Sequence, residues 1–545
     1  MKIVVIGAVA AGTSAAAKAR RNNDQAEIVI YERDQDISYS GCGLPYFIGE
    51  EIEDVSALTP RDPAFFKSKY NIDIKIQHDV VSIDKDRKVV NVVDLKTGET
   101  FEDTYDTLVI ATGAASFVPP VKGVDQPHVF SLRNVQDALK IKAFMHQKKP
   151  QHVVIAGTGF IGFEVLENLM GLDMTVSIVE INDKITPNLD KDMAIYLEHE
   201  LAKKGVNIIT SAGIQAIGEN DLVLSNGHTK KADLVIMATG VKPNVALAKS
   251  IGLAIGVTGA IAVNTAMQTS HPNIYACGDC IETFSAITGK PVYRPLGSTA
   301  NKTGRIAGDV LTGGTMSYRG NLSTGIFKIF NLTVASTGLS EKEALDEGFD
   351  IEIIHNTKPD KPSYFDGENM VIKAIADRKS QKLLGVQIVG GNGVDKRIDV
   401  FATLITYKAT VDELFHLDLA YAPPFSTTKD PVHYTGMILD NALNHNRKLI
   451  TAETVAVEGD SLQIIDARTP EDFEKKGCVK DAVNMPHASL REQMKSLDPN
   501  KKTVTYCNKG TTGNAAQNIL LCRGFKDVRN LSGGHMFYKA TQSDK

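Results

Sequence analysis

Val153-Val-Ile-Ala-Gly157-Thr-Gly159-Phe-Ile-Gly162 is the stretch on which the fold turns. Its first four residues are apolar and read as a strand. Gly157, Gly159 and Gly162 then stand in GxGxxG spacing, a helical run follows, and the strand Thr175-Val-Ser-Ile-Val179 ends at Glu180. This order is a βαβ dinucleotide unit. Its glycines permit a tight turn and let backbone N–H groups approach a pyrophosphate at the helix N-terminus. Glu180 stands where a carboxylate accepts from the adenosine ribose hydroxyls. It would also repel a 2′-phosphate, and no arginine follows it closely, so NADH is expected over NADPH. The plainer reading of Glu180 is a structural acid ending a strand.

A second unit opens the chain. Residues 2–6 are apolar, Gly7-Ala-Val-Ala-Ala-Gly12 follows, then an alanine-rich helix from Thr13 to Arg21 and the strand Glu27–Tyr31 ending at Glu32. Val9 replaces the second glycine, so this match alone is weak, and its plainer reading is an ordinary βα turn. Two such units imply two dinucleotides, with hydride passing between a nicotinamide and a flavin. Asp106-Thr-Leu-Val-Ile-Ala-Thr-Gly113 and Asp233-Leu-Val-Ile-Met-Ala-Thr-Gly240 are near repeats, placed where the chain crosses between domains. Ile274-Tyr-Ala-Cys-Gly-Asp279 is a further strand, and Asp279 is positioned for a flavin ribityl chain.

Composition sets bounds. The 545 residues carry a net charge of −5, with 43% hydrophobic and 23% charged residues, which gives no basic field for nucleic acid and no membrane span. The apolar start lacks a signal-peptide pattern, and six cysteines in so long a chain do not make a disulfide framework. A reducing cytoplasm is expected. One cysteine stands out: Cys42, in Ser38-Tyr-Ser-Gly-Cys-Gly-Leu-Pro-Tyr46, just after the first βαβ unit. It is either a buried thiol in a tight turn or a reactive thiol over a flavin. Cys277 and Cys280 have CxxC spacing, but no second pair accompanies them, so no metal site is expected.

These motifs together resemble the flavin-dependent pyridine nucleotide–disulfide oxidoreductases over residues 1 to about 445. Within them they resemble the single-cysteine branch of coenzyme A-disulfide reductases, NADH oxidases and NADH peroxidases. Ala8 stands where that family often has glycine. The resemblance implies FAD at Gly7, Gly12, Glu32, Arg33, Thr112, Gly113 and Asp279. It implies NADH at Gly157, Gly159, Phe160, Ile161, Gly162, Glu180 and Gly240, with the Phe160 ring covering the flavin until nicotinamide displaces it. With no second cysteine near Cys42, electrons must reach an external sulfur or a Cys42 sulfenic acid. Tyr364 and Tyr421 match tyrosines that, in the coenzyme A-disulfide reductases, reach the partner subunit's active site, which implies a homodimer. Coenzyme A is a polyanion, and Lys18, Arg20, Arg21, Ser38, Lys67, Lys69 and Lys429 are its candidate contacts.

The C-terminal part resembles a rhodanese domain, from Asp466-Ala-Arg-Thr-Pro470 through the Cys507-Asn-Lys-Gly-Thr-Thr-Gly513 loop to Leu531-Ser-Gly-Gly534. A strand, a cysteine loop and a helix N-terminus aim backbone N–H groups at one sulfur. A tyrosine-phosphatase loop would need arginine where Gly513 stands, and only Lys509 supplies charge within this loop.

The expected fold class is α/β. An FAD domain occupies 1–115 and 245–322, and an NAD(H) domain 116–244, both Rossmann-like. An α+β dimerisation domain follows at 323–445, then a linker at 446–455 and a rhodanese-like α/β domain at 456–545. The expected activity is NADH-dependent reduction of coenzyme A disulfide, coenzyme A persulfide or polysulfide. A mixed disulfide would form at Cys42, and Cys507 would carry sulfane sulfur. The alternatives are an NADH oxidase or peroxidase, and a redox sensor with a docking C-terminal domain.

Overall fold

Strand β1 (Lys2–Ile6) is buried from Ile3 onward, as a strand covered on both faces of a parallel sheet must be. The structure, a computed structural model, describes residues 1–542. It divides into one unit of residues 1–182 with 209–321 and another of 183–208 with 322 onward. Among the described residues no helix is long and apolar enough to cross a membrane.

In the first unit β1 is central to a parallel sheet. The order is Ile274–Ala276, Thr107–Ile110, β1, β2 (Glu27–Glu32) and β3 (Asp73–Ile76). Helix α1 (Ala10–Asn22) starts inside the glycine turn, ahead of the expected Thr13. Gly7, at φ +105°, turns the chain, and a Cβ on Gly12 would lie 1.9 Å from the Gly7 carbonyl oxygen. The alanines of α1 serve close packing. On the facing helix Gly297–Val310, added Cβ atoms at Gly304 and Gly308 would lie 2.3 and 2.2 Å from the carbonyl oxygens of Ala11 and Ala15.

A second sheet is ordered Asn207–Ile209, Thr175–Val179, His152–Ala156, Leu234–Met237 and Val129–Ser131, with the helix Phe160–Met170 after its glycine turn. The two Ala-Thr-Gly repeats lead into Ala114–Ser116 and Val241–Pro243, which pair antiparallel. Phe117 N–H donates to the Gly240 carbonyl at 2.8 Å. The Thr112 hydroxyl donates to the Asn244 carbonyl at 2.7 Å, which braces the crossover.

In the second unit a five-stranded antiparallel sheet runs Gly325–Ile329, Leu332–Gly338, Leu383–Gly390, Asn369–Asp377, Ile351–Pro359. Its buried Lys373 ammonium meets Asp190, Asp192 and Glu341 at 3.1, 2.9 and 2.7 Å. A parallel sheet follows in the order Leu449–Ile450, Val528–Leu531, Thr503–Tyr506, Gln463–Asp466, Val483–Asn484. This corrects the expected linker at 446–455. Leu449–Ile450 is the edge strand of that sheet, Thr451 caps the helix Ala452–Glu458, and Ile450 and Val455 are buried in its core. The polar residues between them are cap and helix surface, which made the segment read as a tether.

Candidate active site

Both glycine turns end at helices whose first N–H groups have no side-chain cap and no acid in the first turn. The helix Val135–Lys148, by contrast, has a full capping box from Asn134 and Asp137. Uncapped N-termini leave donors for an anion. A Cβ on Gly159 would meet nothing within 4 Å, so the turn is open on its ligand side. These features fit two pyrophosphates. The acids of the two units act alike on their turns. Glu32 accepts from Ala8 N–H at 2.7 Å, and Glu180 accepts from Thr158 N–H at 3.1 Å and from Asn182 N–H at 3.0 Å. Each acid thus fixes its own glycine turn. Phe160 and Ile161 open the second helix, Gly240 adjoins the crossover, and Arg33 is exposed past β2.

Cys42 lies in a one-turn 3₁₀ segment, Gly41–Gly43, leading into α2 (Leu44–Ile48). Ser38, at φ +49°, donates its N–H to the Ala8 carbonyl at 2.9 Å, which ties the cysteine stretch to the first glycine turn. At the other end Gly49 meets Asn168 so closely that a Cβ would lie 2.1 Å from its side chain, so α2 is seated on the second glycine-turn helix. Cys42 therefore stands between the first glycine turn and the helix that follows the second. Cys42 is an exposed residue, which sets aside the fully buried structural thiol. Desolvation by its neighbours raises the thiol, as do Glu164 and Asp279, while Arg133 lowers it. Glu164, on the same helix as Phe160, is pushed up to about 7 by burial and then by Glu167. Asp279 is held by Arg133 at 2.8 Å, a partner absent from the sequence reading. Cys277 and Cys280 are fully buried, and Cys280 donates to backbone carbonyls, so the CxxC is core.

A cleft of about 510 Å³ opens beside Ser38–Ser40, between α1, α3 (Pro63–Tyr70) and the helix Gly297–Val310. Arg21, Arg61 and Arg305 line it with Phe65, Phe66 and Tyr70, and no carboxylate does. Three cations and planar rings suit a phosphorylated nucleotide. Of the expected coenzyme A contacts, Arg21 and Ser38 line this cleft; Arg61 and Arg305 line it too, though nothing in the sequence joins positions 61 and 305 to α1. Arg20 is corrected: it is buried, and its guanidinium donates to the carbonyls of Tyr70, Asp24 and Asn71. Lys18 pairs with Asp309 at 3.0 Å. Lys67 pairs with Asp73, Lys69 sits over the Phe65 and Tyr70 rings, and none of the three lysines lines the cleft.

In the second unit Tyr364 and Tyr421 are 71% and 48% exposed, which rules out core tyrosines. Lys429 is exposed as well. Cys507 follows the strand Thr503–Tyr506 and is almost enclosed. Gly510, at φ +93°, turns the chain into the helix Thr511–Cys522, which has no side-chain cap. A Cβ on Gly513 would lie 2.3 Å from Asn530 Oδ1, so this loop has no room for a phosphatase arginine. Arg468 is locked by Asp466 at 2.9 Å and donates to the Gly477 carbonyl at 2.7 Å; it is structural. Lys509 is the one cation within this loop, and a second reaches it from outside: Lys358 donates to Thr511 Oγ1 at 2.7 Å.

Residues 1–301 match the pyridine nucleotide-disulphide oxidoreductase family, residues 325–431 its dimerisation domain, and residues 453–541 the rhodanese-like domain. The chain is a pyridine nucleotide-disulphide oxidoreductase. Like other members of that family, this oxidoreductase uses FAD and a nicotinamide dinucleotide. An NAD(P)H sulfur oxidoreductase (CoA-dependent) of Pyrococcus furiosus is 36% identical over 443 residues, covering 80% of this chain and 99% of that protein. The reduced CoADR-RHD of Bacillus anthracis matches this oxidoreductase at TM-score 0.97 and 36% identity, over 100% of this chain and 98% of that one. A NAD-dependent persulfide reductase from A. fulgidus matches at TM-score 0.93 and 38% identity, over 98% and 100%.

Proposed function

We propose that this oxidoreductase uses NADH to reduce the sulfur of coenzyme A persulfide or coenzyme A disulfide, or polysulfide, at Cys42. The observation that carries this is the arginine-lined, carboxylate-free cleft leading from α1 to the Ser38–Ser40 stretch beside Cys42. It suits the phosphates and adenine of coenzyme A, with Arg21, Arg61 and Arg305 as counter-charges. The names of the matched relatives point to the same chemistry.

Bound FAD supplies the two-electron relay between nicotinamide and sulfur. The Cys42 thiolate attacks the coenzyme A-bound sulfur of the persulfide, hydrosulfide leaves, and a Cys42–coenzyme A mixed disulfide remains. Two electrons from NADH break that bond, returning the Cys42 thiolate and releasing coenzyme A. The balance is NADH, a proton and coenzyme A persulfide giving NAD⁺, coenzyme A and hydrogen sulfide. Glu180, beside the second glycine turn, favours NADH over NADPH by repelling a 2′-phosphate. Tyr364 and Tyr421 are exposed, as tyrosines serving a second copy would be; in a homodimer their hydroxyls protonate the leaving thiolate. Cys507 carries sulfane sulfur in its N–H-lined loop. Oxygen reduction gives no role to the arginine cleft or to the C-terminal domain.

Steady-state kinetics of an Arg61→Ala, Arg305→Ala double variant test the reading. KM for coenzyme A disulfide should rise by about tenfold or more, with a smaller change in kcat. An unchanged KM would take coenzyme A out of the cleft.

A further inference from the structure

Two lysines from different domains meet beside Cys507 at the start of the helix Thr511–Cys522. Lys358 belongs to the outer strand of the antiparallel sheet, and its ammonium donates to Thr511 Oγ1 at 2.7 Å while lying 4.1 Å from the centre of the Tyr434 ring. Lys509, two residues past Cys507, donates to Asn369 Oδ1 of that same sheet at 2.7 Å. The junction is fixed in place. His355 N–H donates to Ser532 Oγ at 2.7 Å, Gly533 N–H donates to the His355 carbonyl at 3.1 Å, and the His355 ring stacks on Phe537 at 4.4 Å.

Both lysines are half-buried, and each donates to a neutral oxygen. Among the described residues no carboxylate forms an ion pair with either. Burial draws Lys358 below its ordinary value; the Cys507 thiolate opposes this, and Lys509 and Lys429 add to the lowering. Burial lowers Lys509 as well. Elsewhere this chain neutralises a buried lysine generously, as Lys373 with its three carboxylates shows. Desolvated like charges without a counter-ion oppose folding, and they make sense where an anion is to be held.

We infer that Lys358 and Lys509 form an anion site shared by two domains, which binds an anionic sulfur carrier, a thiol persulfide or polysulfide chain, against Cys507. The site is complete only when the rhodanese-like domain is seated on the antiparallel sheet. This rests on the reading of Cys507 as a sulfur carrier and names the class of its partner. The Cys507 thiolate attacks the terminal sulfur of R–S–SH, and R–S⁻ leaves beside the two ammonium groups. Cys507 becomes the persulfide, and the sulfane sulfur moves without net oxidation or reduction.

The test uses the full-length holoenzyme. Site-resolved mass spectrometry gives the rates at which iodoacetate and iodoacetamide alkylate Cys507. Both reagents consume the same thiolate, so their ratio cancels changes in thiol ionisation and reads local charge. Lys358→Gln and Lys509→Gln should each lower the iodoacetate-to-iodoacetamide ratio by about threefold or more. Lys358→Arg should keep it, and added salt should lower the wild-type ratio. A ratio unchanged in both glutamine variants overturns the anion site. If the ratio falls as stated but wild-type Cys507 takes up no sulfur from polysulfide, the carrier reading fails and the anion site stands.

Discussion

Cys42 is exposed yet its thiol is raised, and the charge that matters most among its neighbours is Glu164. Glu164 titrates at about 7, so it is neutral below that pH and a carboxylate above it. As pH rises through this window, the new negative charge opposes formation of the Cys42 thiolate. Glu164→Gln removes that opposition, and the pH profile of Cys42 alkylation by iodoacetamide should move to lower pH; an unmoved profile would show that Glu164 does not act on the thiol. Gly159 gives a second test at this scale. A Cβ there meets no protein atom, so Gly159→Ala should leave the melting temperature unchanged. It should raise KM for NADH by about tenfold, which is ~1.4 kcal/mol. A variant that loses stability but keeps its NADH affinity would assign Gly159 to folding alone.

Elements carry their own consequences. The strand Leu449–Ile450 and the helix Ala452–Glu458 belong to the C-terminal sheet, so Ile450→Ala should destabilise that sheet by about 2–5 kcal/mol, read as an earlier thermal transition of the full chain. No loss would restore the segment to a tether. The cluster at Lys373 sets a pH window. For Asp192, burial pushes upward, but His355 and then Lys373 outweigh it, so its carboxyl is lowered; this stability is present above the ordinary carboxylate range and is lost as acid protonates it. Lys373 is raised against burial by Asp192, Asp190 and Glu341, so its contribution is full below the ordinary lysine value and is lost far into alkali. Lys373→Met leaves three acids facing one another and should cost about 3–5 kcal/mol at neutral pH, with the loss shrinking in acid. A neutral effect on unfolding by denaturant would contradict this.

Across the whole molecule, what was legible in the sequence followed from local pattern. Gly157, Gly159 and Gly162 with Glu180 announce their unit because the turn geometry is contained within about 30 residues. The same holds for Gly7, Gly12 and Glu32, and for the Cys507 loop. What was not legible depends on distant pairs. Arg20 and Arg21 are adjacent, yet one is locked to the backbone around Tyr70 and Asn71 while the other faces the cleft. Arg305 joins that cleft only because Gly304 and Gly308 let its helix press on α1. Lys358 reaches Thr511 of the Cys507 loop only through the packing of one sheet on the next domain. Exposed Tyr364, Phe365, Tyr407, Phe415, Tyr421 and Phe425 in the dimerisation domain give an expectation for assembly: sedimentation should show a dimer at working concentration, and a fully active monomer would remove both tyrosines from the proposed site. In the proposed cycle electrons reach substrate sulfur through Cys42. Anaerobic stopped-flow absorbance of Cys42→Ser tests it most directly. NADH should reduce the flavin of the variant as in wild type, and coenzyme A persulfide should then reoxidise the wild type while the variant stays reduced. Reoxidation of the variant at the wild-type rate would contradict it.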